Sequence, residues 1–99
     1  QGRVTDAEAL YQRALSIKES LLGRDHPDVA LSLNNLALLL EGTDRAPEAG
    51  PLYERALEIF ALRLDARHPK IVACANNYAG FLRAAGRDGE AGAIEGQYL

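Results

Sequence analysis

The sequence predicts an all-α fold: an antiparallel α-solenoid built from helix–turn–helix repeats, with five helices in one array. Three observations carry this. Apolar residues recur every three to four positions rather than every second one, so no segment alternates like a strand. Helix breakers and helix starters fall at helix-length intervals, at Gly23, Pro27, Gly42, Pro69 and Gly86. The chain also repeats itself: Tyr53 lies 42 residues after Tyr11, and the same offset aligns many other residues. It brings Arg3 onto Arg45, Ala7 onto Ala49, and Arg13-Ala14-Leu15 onto Arg55-Ala56-Leu57. His26-Pro27 falls on His68-Pro69, Asn34-Asn35 on Asn76-Asn77, Ala37 on Ala79 and Leu40 on Leu82. Glu48-Ala49-Gly50 falls on Glu90-Ala91-Gly92.

The elements follow in order. Thr5 and Glu8 form a T-x-x-E capping pattern, so the first helix is expected to begin near Asp6. Its apolar stripe is Leu10, Ala14, Ile17 and Leu21, with Ala7, Tyr11, Leu15 and Leu22 beside it, and Gly23 ends it. Pro27 suits the first turn of a second helix. Val29, Leu33, Leu36, Ala37 and Leu40 form that helix's inner face, and Gly42 terminates it. A third helix is expected from about Pro47 to Leu64, with an irregular first turn because Pro51 lies close to its start. A fourth begins at Pro69, turns Ile71, Ala75, Tyr78, Ala79 and Leu82 inward, and stops at Gly86. A fifth begins after Asp88, weakened by Gly89, Gly92 and Gly96.

The chain has 99 residues, 47% hydrophobic and 25% charged, enough for one modest core. Its net charge of −3 and scattered Lys and Arg show no basic stripe, which argues against nucleic acid as a partner. No apolar run is long enough to cross a membrane, and no secretory-signal pattern is present. Cys74 is the only cysteine, so an internal disulfide is impossible, and a reducing, cytoplasmic setting is expected. The first residue is Gln1 and there is no Met, so the chain is expected to be a piece of a longer protein.

The stretch DHPDVALSLNNLALLLEGTDRAPEAGPLYERALEIFALRL resembles tetratricopeptide repeats of the kinesin light chain type. Those repeats are also 42 residues long, the offset between Tyr11 and Tyr53, and carry a similar HP-D-V, NNLA, EA-x-PLY-x-RAL pattern. Within the general tetratricopeptide signature, Leu33, Leu36, Ala37 and Leu40 fall on first-helix positions, and Ala49, Tyr53 and Ala56 on second-helix positions. The fifth helix departs from it, with Glu95 in the place of Tyr53 and Tyr98 in that of Ala56. In phase, residues 1–23 are the second helix of a truncated repeat, 24–65 a full repeat, and 66–99 a second repeat, nearly complete. The resemblance implies a non-enzymatic scaffold that holds peptide segments of partner proteins, without cofactors. The unpartnered first helix adds an expectation of self-association through the array ends. The other reading is a purely architectural spacer with no peptide ligand.

Candidate chemistry is thin. His26 and His68 sit in equivalent positions of successive repeats, too far apart to share a metal ion, and fit the exposed amides of a helix's first turn. Cys74 lies within a helix without a paired base, which suits a buried thiol. Asp25, Asp28, Asp44 and Asp88 suit helix caps. Tyr11 and Tyr53 occupy the repeat's packing position, and Arg13 and Arg55 a solvated face that could reach acids in the adjacent repeat. The two asparagine pairs stand out, because Asn is a poor residue inside a helix. At 100° per residue they lie opposite the apolar face. One such face is Leu31, Asn34, Asn35 and Leu38; the next is Ala73, Asn76, Asn77 and Gly80, with Arg83 at its edge. In the resembling family this face lines the concave groove. Asn35 and Asn77 match positions that hold a ligand backbone, while a ladder of amides between helices is as good a reading for Asn34 and Asn76.

Overall fold

The computed structural model describes residues 2–99. Its helices are α1 (Gly2–Leu22), α2 (Pro27–Glu41), α3 (Ala49–Arg63), α4 (Pro69–Ala84) and α5 (Asp88–Tyr98), with a 3₁₀ turn over Ala46–Glu48 ahead of α3. No strand occurs among the described residues. The breaks fall at Gly23, Gly42, Leu64 to His68 and Gly86, where the sequence puts them.

One start differs from expectation. α1 begins at Gly2 and runs through Thr5, so the T-x-x-E pattern does not cap it. The irregular first turn expected of the third helix is the 3₁₀ turn over Ala46–Glu48. Pro51 itself lies in the first turn of α3, where its missing N–H removes no helical hydrogen bond. The caps of α2 and α4 are histidines. His26 Nδ1 accepts from the Asp28 amide at 3.0 Å, and His68 Nδ1 from the Lys70 amide at 3.1 Å. Each ring satisfies one of the orphan amides of its first turn, with Pro27 or Pro69 following at the first helical position. Asp28 and Asp88 sit inside first turns, where their charge favours the helix dipole, rather than at caps.

Each helix packs on the next in sequence, and α2 also reaches α4. The result is a slab of 35 × 31 × 17 Å. Its core is the inner face of α2 (Leu33, Leu36, Ala37, Leu40), the middle of α3 (Tyr53, Ala56, Leu57, Phe60) and the inner face of α4 (Ala75, Tyr78, Ala79, Leu82). Full burial of each large side chain is worth about 1.5–3 kcal/mol. Tyr53 and Tyr78 stack with centroids 5.5 Å apart, and Phe81 completes the group. Gly50 admits Phe81: a Cβ there would stand 3.4 Å from the ring.

α1 and α5 attach differently. α1 rests on α2 through Leu15, while Leu10, Ile17 and Leu21 of its apolar stripe are exposed. Tyr11 is likewise partly exposed, unlike its core counterpart Tyr53. Arg55 ties α3 back to α1 by a 2.7 Å bond to Glu19, the reach to an adjacent acid expected of it. α5 buries Ala91 and packs Ile94 and Tyr98 on the core despite its three glycines. Where Glu95 replaces a tyrosine, Arg83 meets it with two hydrogen bonds, the longer 2.7 Å.

Candidate peptide-binding face

α2 turns one face inward, so the residues opposite it are left toward solvent. Leu31 and Leu38, two turns apart, are 39% and 44% exposed, with half-buried Asn35 between them. The α4 counterparts are Ala73 and Gly80, both exposed, with half-buried Asn77 between them and Asn76 exposed beside it. A Cβ at Gly80 would meet nothing within 4 Å. α2 thus carries two exposed leucines where α4 carries small residues at the equivalent positions.

The asparagines divide in a way the sequence does not show. Asn34 is only 8% exposed, and its Oδ1 accepts from Asn77 Nδ2 at 3.3 Å. This amide pair bridges α2 and α4 and joins the first asparagine of one pair to the second of the other. The offset that connects them, 43 residues against a 42-residue repeat, is visible in the sequence only once the crossing of α2 and α4 is known. Asn35, half-buried, and Asn76, exposed, each offer donors and an acceptor. Arg83 lies at the edge of the face with its guanidinium on Glu95. Ser32, which sequence reasoning passed over, is buried and accepts from Lys18 Nζ of α1 at 3.0 Å. No buried side-chain polar atom lacks a partner among the described residues.

The other candidate groups take structural places. Cys74 is buried, and desolvation pushes its thiol up to about 12, far from thiolate chemistry at neutral pH. Tyr53 is buried and donates to the Glu41 carboxylate; loss of water and that carboxylate together hold its hydroxyl well above the usual tyrosine range. Tyr78, donating to Glu54 at 2.8 Å, is pushed up to about 12, first by burial and then by the same kind of bond. Both histidine Nδ1 atoms are committed to helix starts, and among the described residues no three His, Cys, Asp or Glu side chains gather as a metal set. Among the described residues no helix is long and apolar enough to cross a membrane.

A family model described as tetratricopeptide repeat matches residues 1–61 and, in a second overlapping placement, residues 32–97. No individual characterised protein matches the chain significantly. The two placements together span nearly the whole chain, and they agree with five helices paired in sequence order. The chain therefore belongs to the tetratricopeptide repeat family.

Proposed function

We propose that this chain is a non-enzymatic peptide-binding module of the kinesin light chain type of repeat, acting in the cytoplasm. Its ligand site is the groove along the outer faces of α2 and α4. The observation that carries this reading is the pair Leu31 and Leu38: two large apolar side chains left in water two turns apart, beside the small residues Ala73 and Gly80. The ridge would take apolar side chains of an extended segment, and the small strip would leave room for its backbone. Asn35 and Asn76 would hold backbone amides and carbonyls whatever the ligand's sequence. Arg83 would meet an acidic group at the edge after exchange with Glu95. Asn34 and Asn77 keep α2 and α4 at the spacing the groove needs.

A second reading is an architectural segment without a ligand, favoured by the Asn34–Asn77 bond, which gives one amide of each pair a structural role. A displayed library of extended peptides, panned against the chain and followed by calorimetric titration, separates the two. On the first reading Leu31→Glu and Leu38→Glu each abolish capture, and Asn35→Ala weakens it about fivefold, the size of one net hydrogen bond. Melting temperatures stay nearly unchanged, since Ala is the better helix former. A selected peptide whose affinity ignores both leucine substitutions overturns the groove assignment. An Asn77→Ala variant that loses thermal stability but not affinity assigns that residue to the ladder.

A further inference from the structure

One turn differs in its chemistry between the two repeats. Ahead of α3 the chain reads Arg45-Ala46-Pro47-Glu48; the counterpart 42 positions on, entering α5, reads Arg87-Asp88-Gly89-Glu90. The outer residues keep their roles: Arg45 Nε bonds Glu48 at 2.8 Å and Arg87 Nε bonds Glu90 at 2.6 Å. The inner pair does not. Alanine has no carboxyl and proline no N–H, whereas Asp88 and Gly89 supply both, one peptide bond apart. No other Asp or Asn in the chain precedes a glycine. Both residues are exposed, and the Gly89 N–H has no backbone acceptor. A Cβ at Gly89 would meet nothing within 4 Å, so no neighbour shields its nitrogen. The amides after Asp25, Asp28 and Asp44 are engaged instead, by Gly23 O, His26 O and Thr43 Oγ1.

We propose that Asp88–Gly89 is a site of covalent self-modification, at which Asp88 converts to isoaspartate. The Gly89 nitrogen bonds to Asp88 Cγ and gives up its proton, and a carboxyl oxygen leaves as water, closing a succinimide ring. Water then adds to the ring carbonyl on the Cα side, the C–N bond there breaks, and the nitrogen regains a proton. The main chain now runs through Cγ, with a free carboxylate on Cα. One water leaves and one enters, and nothing is oxidised or reduced. The first turn of α5 has to open for this, and opening costs little. First-turn amides have no intrahelical partner, glycine tolerates non-helical backbone, and the Arg87–Glu90 pair is exposed. The product does not fit the helix. The Ala91 N–H bonds Arg87 O at 3.1 Å across residues 88–90, and the added main-chain carbon makes that ring one atom too large. Ala91 is 0% exposed and is the buried anchor nearest the start of α5. Isoaspartate at position 88 therefore loosens α5 from α4 while the packing of α2, α3 and α4 stays. The proposal is independent of the groove.

The test is incubation of the chain at pH 7.4 and 37 °C for four weeks, then peptide mapping by liquid chromatography and electron-transfer mass spectrometry, which separates isoaspartyl from aspartyl peptides of equal mass. Isoaspartate should accumulate at Asp88 at least about tenfold faster than at any other aspartate, since only glycine leaves the attacking nitrogen this open. Gly89→Ala, which adds a Cβ beside that nitrogen, and Asp88→Glu, which needs a larger ring, should each suppress it. Asp88→Asn should speed it, with ammonia leaving in place of water. Hydrogen exchange over residues 88–98 should quicken in the aged chain and not in the aged Gly89→Ala chain, with α2 and α3 unaltered. Isoaspartate spread evenly over the aspartates, or an Asp88→Asn chain that stays unmodified, overturns the proposal. Isoaspartate at position 88 with unchanged exchange in α5 overturns the loosening of that helix.

Discussion

A histidine ahead of a proline does a cap's work twice in this chain. The Nδ1 lone pair of His26 and of His68 replaces the side-chain oxygen that usually accepts from the first turn. His26→Ala and His68→Ala should therefore each cost about 1 kcal/mol of stability, and Asn at either place should restore most of it. Urea titration of the four variants checks this; equal loss for Ala and Asn would mean that the ring acts by packing instead. A second residue-scale feature is an exchanged pair. Glu41 accepts from Tyr53, while at the equivalent positions Arg83 bonds Glu95. Both partners changed together, so the contact between a first helix and its second helix persists with its charge rearranged.

At the scale of elements, α5 shows tertiary packing overriding propensity. Three glycines in eleven residues would leave the isolated helix unformed. Ala91, Ile94 and Tyr98 anchor it to the core, and Arg83 clamps Glu95 from α4. Because a Cβ at Gly92 would meet nothing within 4 Å, Gly92→Ala should stabilise the fold by about 0.5–1 kcal/mol. A rise in melting temperature is the expected reading; a fall would show that the glycine serves a close approach absent from this structure. α1 is the opposite case, a long helix with good formers but one packed side. Amide exchange should be faster along α1 than along α3, its repeat counterpart. Equal protection in the two would show that α1 is covered in solution.

Across the whole molecule, stability should be lost toward alkaline pH. Cys74 and Tyr78 sit in the shared core of α2, α3 and α4, and burial raises both to about 12 in the folded chain. Tyr53 is raised further still, first by burial and then by its bond to Glu41. The unfolded chain releases the Cys74 proton near the ordinary value of 9.0. Above that pH the native state binds more protons than the unfolded one, so the contribution is full below pH 9 and falls as pH climbs toward about 12. The total loss over that range should be roughly 2–4 kcal/mol. Urea unfolding at pH 8, 9, 10 and 11 reads it, and Cys74→Ala should delay its onset to the tyrosine range. A flat profile would mean that these groups reach water without unfolding.

The helices, their order and the inner faces of α2 and α4 are legible in the sequence, because a 3.6-residue apolar period and Pro and Gly boundaries act locally. The 42-residue repeat then imposes the same solution twice. Leu33, Leu36, Ala37 and Leu40 are buried as their spacing requires. The start of α1 was misread because a capping pattern inside a stretch of good helix formers does not have to end the helix there. Partnership is what local pattern could not settle. Leu10 and Leu52 look alike in sequence, yet one is exposed and the other partly buried, because burial depends on which helix lies alongside. The same holds for the asparagines: spacing puts each pair on the equivalent face of its helix, but only the crossing of α2 and α4 draws Asn77 onto Asn34.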